Sequence, residues 1–370
     1  MWFFKRFFGI GGLLLLGFAA FVAFVTGSLA IGLAFLVLFG IPLGLAQEVP
    51  LYTSTGGRVW NYTYTLICTL IFLFLIAPIL VVIPLSFNVE PYFTFTPRML
   101  ALDPDGYSLR WYEQLLTFGM QAPDRVEGWW ADVWENAAWV NAAKNSVIIG
   151  FFSTILATTL GTLAALGLSR PEMPYRRLIM ALLISPMIVP LIIVATGLFF
   201  FYSNPGLPYP YVSFSPFEFG WGYWDWGIRL ANSYVGIVLA HATLGIPFVI
   251  ITVTATLVGF DQSLIRASKS LGANEWTTFR QVILPLITPG VVSGALFAFV
   301  TSFDEVVVVL FVASFEQQTI PRQMWNGIRE QISPTILSAA TILVLFSIAL
   351  LTTVELLRRS SEKKRGLSPG

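Results

Sequence analysis

Histidine, cysteine and charge are nearly absent from this chain. Of 370 residues, one is histidine (His241), one is cysteine (Cys68), and only 11% are Asp, Glu, Lys or Arg. A single thiol excludes an intrachain disulfide, and one imidazole cannot build a His/Cys metal cluster. No lysine follows a glycine, so the Gly-x-x-x-x-Gly-Lys-Ser/Thr loop that cradles ATP phosphates is missing. A nucleophilic triad would have to rest on His241, which lies in an apolar run where a structural role fits better. A net charge of +1 offers no field to gather a polyanion, which excludes a nucleic-acid binder. Soluble proteins carry about 25% charged residues. With 56% hydrophobic residues and a mean hydropathy of +0.76, the composition describes a polytopic membrane protein.

A helix needs about 20 apolar residues to cross roughly 30 Å of hydrocarbon. Six such runs follow residue 60, at 62–86, 142–168, 178–202, 232–258, 289–312 and 334–357. Ahead of them, residues 7–46 carry no charge. As one helix that stretch would reach about 60 Å, twice the core thickness. Thr26-Gly27-Ser28 divides it into two halves of spanning length. The expected organisation is a hydrophobic helical hairpin with its cytoplasmic linker (1–60), a six-helix core (61–357) and a basic tail (358–370). That makes about eight spans in an all-α fold. One long or partly re-entrant helix is the alternative for the first stretch. The apolar region is too long for a signal peptide.

Basic residues set the direction. With both termini in the cytoplasm, the inward segments hold fourteen Lys and Arg, including Lys5, Arg6, Arg170, Arg266, Arg280 and the 358–365 cluster. The outward segments hold seven. An odd number of spans would place one basic end outside. The outer segment 87–140 has eight acidic and three basic residues and is dense in Trp and Tyr, as befits a membrane-interface belt or a docking surface. Residues 124–141 read as a helix lying on the outer surface, and 203–231, rich in Pro, Gly and Trp, as a packed loop.

The inward segment 259–288 is the most informative. It runs GFDQSLIRASKSLGANEWTTFRQVILPLITP up to Pro289. Leu264, Leu271, Trp276 and Phe279 recur at helical spacing, Asp261 suits an N-cap, and Gly272 suits a helix end. Pro285 and Pro289 are expected to break the chain before the next span. The pattern is helix, glycine turn, helix, proline break.

The spacing of Arg266-Ala267-Ser268, then Gly272-Ala273, then Leu284-Pro285 resembles the Glu-Ala-Ala loop of permease subunits of binding-protein-dependent ABC importers. The runs from 62 to 357 resemble that family's six-span core, and the N-terminal stretch lies outside the likeness. SFDE in the fifth run, PRQMWNGIRE after it and ISPT at the start of the last look most like spermidine/putrescine-type permeases. The resemblance implies a type I importer permease in a bacterial inner membrane. It implies a second permease subunit, expected as a heterodimer, two ATPase subunits that bind the ATP and Mg, and an extracytoplasmic solute-binding protein. No cofactor is expected in this chain, and its only other partner is the lipid bilayer. In the family the loop is a coupling helix seated on the ATPase. In the family the loop's leading glutamate can pair with a basic residue of the ATPase; Arg266 stands there with the opposite charge, which calls that one pairing into question, while Ala267, Gly272, Leu284 and Pro285 are kept for docking by shape.

Asp304 and Glu305 lie deep in the fifth run, where a charge costs about 2.5 to 3.5 kcal/mol on insertion scales. Read as a continuous helix, the run points these neighbours about 100° apart, so at least one faces the bundle interior. The functional reading is that Asp304, with Glu305, lines the path and attracts a cationic substrate, with Trp325 outside touching the path or the binding protein. The structural reading makes the carboxylates a pair or a cap and Trp325 an interface residue. Gly290 and Gly294 have small-xxx-small spacing for close helix packing, Lys144 snorkels at the outer mouth of the second core span, and His241 is suited to a helix–helix hydrogen bond. Polyamine is the expected substrate, and an amino-acid derivative or opine the alternative. An ion-coupled secondary transporter is the rival class; it would need no coupling loop. A membrane-embedded enzyme would need a convergent set of acids, bases or metal ligands, which is not evident.

Overall fold

The computed structural model describes residues 19–20, 54–120, 123–124, 127–170, 172–203, 208–214, 217–223, 230–258, 262–330 and 333–364. Nearly all of the expected N-terminal hairpin, the Asp261 cap and the end of the basic tail lie outside the described residues. Helix α1 (Thr55–Leu85) opens at Ser54, whose Oγ accepts the Gly57 N–H at 3.2 Å. Short helices α2 (Pro97–Leu100), α3 (Arg110–Thr117) and α4 (Trp129–Asn136) lead to α5 (Ala138–Leu168). Then come α6 (Arg176–Ile188), α7 (Leu191–Ser203), an antiparallel hairpin of β1 (Pro208–Phe214) and β2 (Phe217–Tyr223), and α8 (Tyr234–Val258). Helices α9 (Gln262–Ser270), α10 (Glu275–Thr278), α11 (Leu284–Phe303), α12 (Val307–Val312), α13 (Ile320–Glu330) and α14 (Thr335–Lys364) complete the chain.

Among the described residues, five helices are long and apolar enough to cross a membrane, and α6 with α7 makes a sixth if that bent pair is one broken span. The count of eight is not reached within these residues. The chain forms two compact units, Met1–Thr117 with Gly327–Leu357, and Phe118–Asn326 with Arg358–Gly370.

In the first unit, α1 exposes apolar side chains on every side, as a span does and a soluble helix does not. The segment after it is tied down by Asn88, whose Nδ2 donates to the carbonyls of Tyr92 and Thr94, each at 3.0 Å. Trp111 Nε1 donates to the Asn88 carbonyl at 2.7 Å, and Ser338 Oγ on α14 donates to the Ser86 carbonyl at 3.3 Å.

The second unit is built on three spans, α5, α8 and α11, and small residues let them approach. A Cβ on Gly161 would meet Val249 Cβ at 2.7 Å, one on Gly290 the Thr252 carbonyl at 2.8 Å, and one on Gly294 the Val249 Cα at 2.8 Å. Ala157, Ala165, Val249, Val253, Ile287 and Ala298 fill the seam. Lipid tails are as apolar as leucine, so this close van der Waals contact holds the helices together.

Two of the expected spans are not single helices. The run 178–202 bends by 102° between α6 and α7. Pro190 forces the residue before it out of the α-region, and Val189 is extended (φ −69°, ψ 138°). The run 289–312 ends as a helix at Phe303 and restarts at Val307. The expected proline break before it is absent. A π-turn over Phe279–Ile283 places the Leu284 N–H on the Phe279 carbonyl. That shift of register seats Pro285 in the first turn of α11, where a missing N–H is tolerated. In the packed loop expected at 203–231 the structure has the β1–β2 hairpin, with Pro208 opposite Tyr223 and Phe214 opposite Phe217.

Gly294→Leu is expected to overpack the α8–α11 seam, at about 1–3 kcal/mol, and to lower the melting temperature of the detergent-solubilised protein. Gly197→Ala, where an added Cβ meets nothing within 4 Å, is expected to leave it unchanged or raise it.

Candidate functional site

Two regions of the second unit gather the residues singled out in the sequence. The first is the turn between α8 and α11. Helix α9 ends at Gly272, whose φ of +85° is the left-handed conformation glycine adopts without strain. Gly272 N–H donates to the Lys269 carbonyl at 2.9 Å and Ala273 N–H to the Ser268 carbonyl at 3.2 Å, the paired bonds of a Schellman end. Asn274 then caps α10, its Oδ1 accepting the Thr277 N–H at 2.8 Å. Ser268 Oγ meets Thr278 Oγ1 at 3.0 Å and Lys269 pairs with Glu275 at 2.6 Å, so the two short helices are pinned on each other. Ala267 is exposed, and Leu284 packs against the seam of the three spans. Leu271 is 89% exposed and Trp276 67%, beside an exposed Arg266. The turn therefore presents an exposed apolar tip beside positive charge, held by its own hydrogen bonds and ion pair.

The second region is the interrupted fifth span. Asp304 is the C-cap of α11 and its backbone N–H bonds the Val300 carbonyl at 3.0 Å. Glu305 is buried, and its Oε1 accepts the Val308 N–H at 2.9 Å, at the start of α12. At the other end of α12, Arg322 Nη1 donates to the carbonyls of Val309 (3.0 Å), Ala313 (2.8 Å) and Ser314 (3.1 Å). A carboxylate at the amino end and a guanidinium at the carboxyl end both oppose the helix dipole and satisfy its orphan groups. Burial lowers the Arg322 pKa from its ordinary value.

The neighbouring spans lock this arrangement. Asn145 Nδ2 on α5 donates to the carbonyls of Glu316 (2.8 Å) and Gln318 (2.9 Å), and its Oδ1 accepts from Tyr234 Oη at 2.8 Å. Ser146 Oγ accepts the Ile320 N–H at 2.9 Å. Just below the break, Ser302 Oγ accepts from Ser153 Oγ at 2.9 Å and lies 2.8 Å from His241 Nδ1. His241 thus makes the helix–helix hydrogen bond expected of it.

The structure separates the two acidic neighbours. They do not sit on one regular helix as the sequence suggested. Glu305 turns inward as a cap, and Asp304 is exposed with no side-chain partner among the described residues. Trp325, 44% exposed on α13, makes no hydrogen bond or ring contact to Asp304 among those residues. Sequence reasoning missed Arg322, Asn145, Ser146 and Ser153. The available signal was polar side chains at buried positions on an apolar helix, which must find partners.

Residues 157–366 match the family model described as "Binding-protein-dependent transport system inner membrane component". The chain is 30% identical over 291 residues to the spermidine/putrescine transport system permease protein PotC of Haemophilus influenzae, covering 79% of this chain and 94% of that one. It is 27% identical over 295 residues to PotC of Escherichia coli K12, covering 80% and 93%. Among solved structures, a bacterial ABC transporter involved in the import of the acidic polysaccharide alginate has a chain that superposes with a TM-score of 0.57 at 14% identity, covering 83% of this chain and 99% of that one.

Glu305→Gln is expected to weaken the α12 cap and lower the melting temperature by the equivalent of about 0.5–2 kcal/mol. Asp304→Asn, which removes no intrachain bond, is expected to leave it unchanged. Differential scanning fluorimetry of the two variants measures the contrast.

Proposed function

The chain belongs to the binding-protein-dependent transport system inner membrane components, the permease subunits of ABC importers, and on that footing we propose that it forms half of the pathway for a small organic cation of the polyamine type. It is a transporter component and not an enzyme. Membership alone does not choose the substrate, since the same fold serves an importer of an acidic polysaccharide. What supports a cation is Asp304, a carboxylate placed at a helix break within a span and left without a partner among the described residues. Leaving it there is costly unless a positive charge visits it. The likeness to PotC along most of the chain points the same way.

The α9–α10 turn is the coupling element in this reading. Its exposed Leu271 and Trp276 seat in a groove of a separate ATPase, which binds the ATP and Mg that this chain has no loop to hold. Two such ATPases and a second permease complete the machine, and a solute-binding protein delivers substrate on the far side. Closure of the ATPase pair draws the two turns together and rocks the spans between inward- and outward-facing states, a rigid-body two-state switch. The bonds that pin α9 to α10 let the turn move as one piece, so force on its tip reaches α11 directly.

The decisive experiment is a tagged pull-down from native membranes in mild detergent, followed by uptake of labelled spermidine and putrescine. An ATPase and a second permease are expected to copurify; a chain that emerges alone in several mild detergents overturns the assembly. Asp304→Asn is expected to lower uptake roughly ten- to hundredfold while the complex still assembles, the loss of one charged contact. Undiminished uptake removes Asp304 from the path. Leu271→Ser with Trp276→Ser is expected to abolish ATPase copurification and uptake together. Competition by opines and amino-acid derivatives in the same assay defines the substrate class.

A further inference from the structure

Helix α5 has two unlike faces. Ile149, Ser153, Ala157 and Gly161 face the interior of the unit, Ile149 against α7, α8 and α12 and the others at the three-helix seam. On the other side Lys144, Ile148, Phe151 and Ile155 share one meridian, at i, i+4, i+7 and i+11, and the three apolar members are exposed. From Lys144 to Ile155 the helix rises about 16 Å. That is about half of a 30 Å hydrocarbon core, the depth of a single leaflet. The stripe therefore runs from a membrane surface to the midplane.

At its head stands a built rim. Lys144 Nζ donates to the Trp134 carbonyl, at the last turn of α4, and lies 4.7 Å from the centroid of the Trp134 ring. Trp130, one turn earlier on the same face of α4, is 71% exposed and Trp134 61%. The ring of Trp129 meets Trp130 edge-on at 4.7 Å, and Trp129 and Val133 form the buried face of α4. The nearby carboxylate of Asp132 is engaged by Asn136 Nδ2 at 2.7 Å. No carboxylate pairs with Lys144 among the described residues, so its ammonium keeps charge and donors for an outside acceptor.

We infer that Lys144, Trp130 and Trp134 bind the phosphate and glycerol region of one phospholipid, whose acyl chain lies along Ile148, Phe151 and Ile155. The charge calls for an anion, the indoles for the interface, and the stripe for one leaflet's depth of hydrocarbon. A peptide segment of another subunit would match the apolar stripe only if it also brought an acidic group to Lys144, whereas a phospholipid supplies anion and acyl chain together. The site is independent of which substrate the importer carries.

The test uses the intact complex, purified in mild detergent and supplemented with phosphatidylglycerol, and native mass spectrometry counts the phospholipids retained per chain. Lys144→Gln is expected to retain one fewer than the unsubstituted protein, Lys144→Arg the same number, and Trp130→Leu with Trp134→Leu to lose that lipid at lower collision energy. Equal retention in Lys144→Gln and the unsubstituted protein overturns the site, as does loss in Lys144→Arg. As a second readout, p-benzoylphenylalanine at position 151 is irradiated in native membranes. A cross-link to phospholipid supports the assignment, and one to a polypeptide replaces it with a subunit contact.

Discussion

A helix that stops inside a membrane frees backbone groups that no water can satisfy, and the centre of this protein is organised around that constraint. The fifth span ends at Phe303 and restarts at Val307. Glu305 takes up the free amide at one end of the short helix, and Arg322 the free carbonyls at the other. Each of these charges would be expensive alone. Set at the two poles of one helix, they stabilise it and it stabilises them. Asn145, Ser146 and Tyr234 then fasten the segment beyond it to the rest of its unit.

That arrangement also decides which carboxylate is left without a side-chain partner among the described residues. Neighbours in a sequence look equivalent, yet one is engaged by backbone amides and the other is not. A cap must stay in place to hold the Val308 amide, so Glu305 is unsuited to exchange partners with a passing substrate. Asp304 has no such duty, and the break holds it at a fixed point in the span. The functional reading of the pair thus resolves into one structural and one exposed residue, a distinction that rests on burial and hydrogen bonding alone.

Rigid packing and a stiff turn belong to the same design. Glycines at 161, 290 and 294 let α5, α8 and α11 touch backbone to side chain, which leaves few ways for the three to slide. The α9–α10 turn is bonded to itself through Ser268–Thr278 and Lys269–Glu275, and it continues through a π-turn into α11. Leu271 and Trp276 are thereby joined through bonded helical turns to α11, the helix that ends at Asp304. Arg266, in place of the family's glutamate, makes the exposed face beside Leu271 and Trp276 more positive.

Much of this was legible from residue order. Membrane residence, the apolar runs and the helix–glycine–helix turn follow from hydropathy and from Gly272, because the bilayer's thickness and the left-handed turn leave little choice. The SFDE and Arg-Ala-Ser…Gly…Leu-Pro patterns were sufficient to mark the family. Periodicity could not show that the spans 178–202 and 289–312 are broken, since an apolar run reads alike whether or not its backbone is continuous. It placed the proline break where the chain instead shifts register, because a π-turn depends on what surrounds it. The roles of Arg322, Asn145 and Ser153 depend on partners up to 173 residues away, and only packing brings those together. The sequence alone determined that this is a multi-span permease of the ABC importer family with a helix–glycine–helix turn. Tertiary structure decided which of two adjacent acids holds the helix and which is left exposed without a side-chain partner among the described residues, because that depends on where each side chain's hydrogen bonds can go.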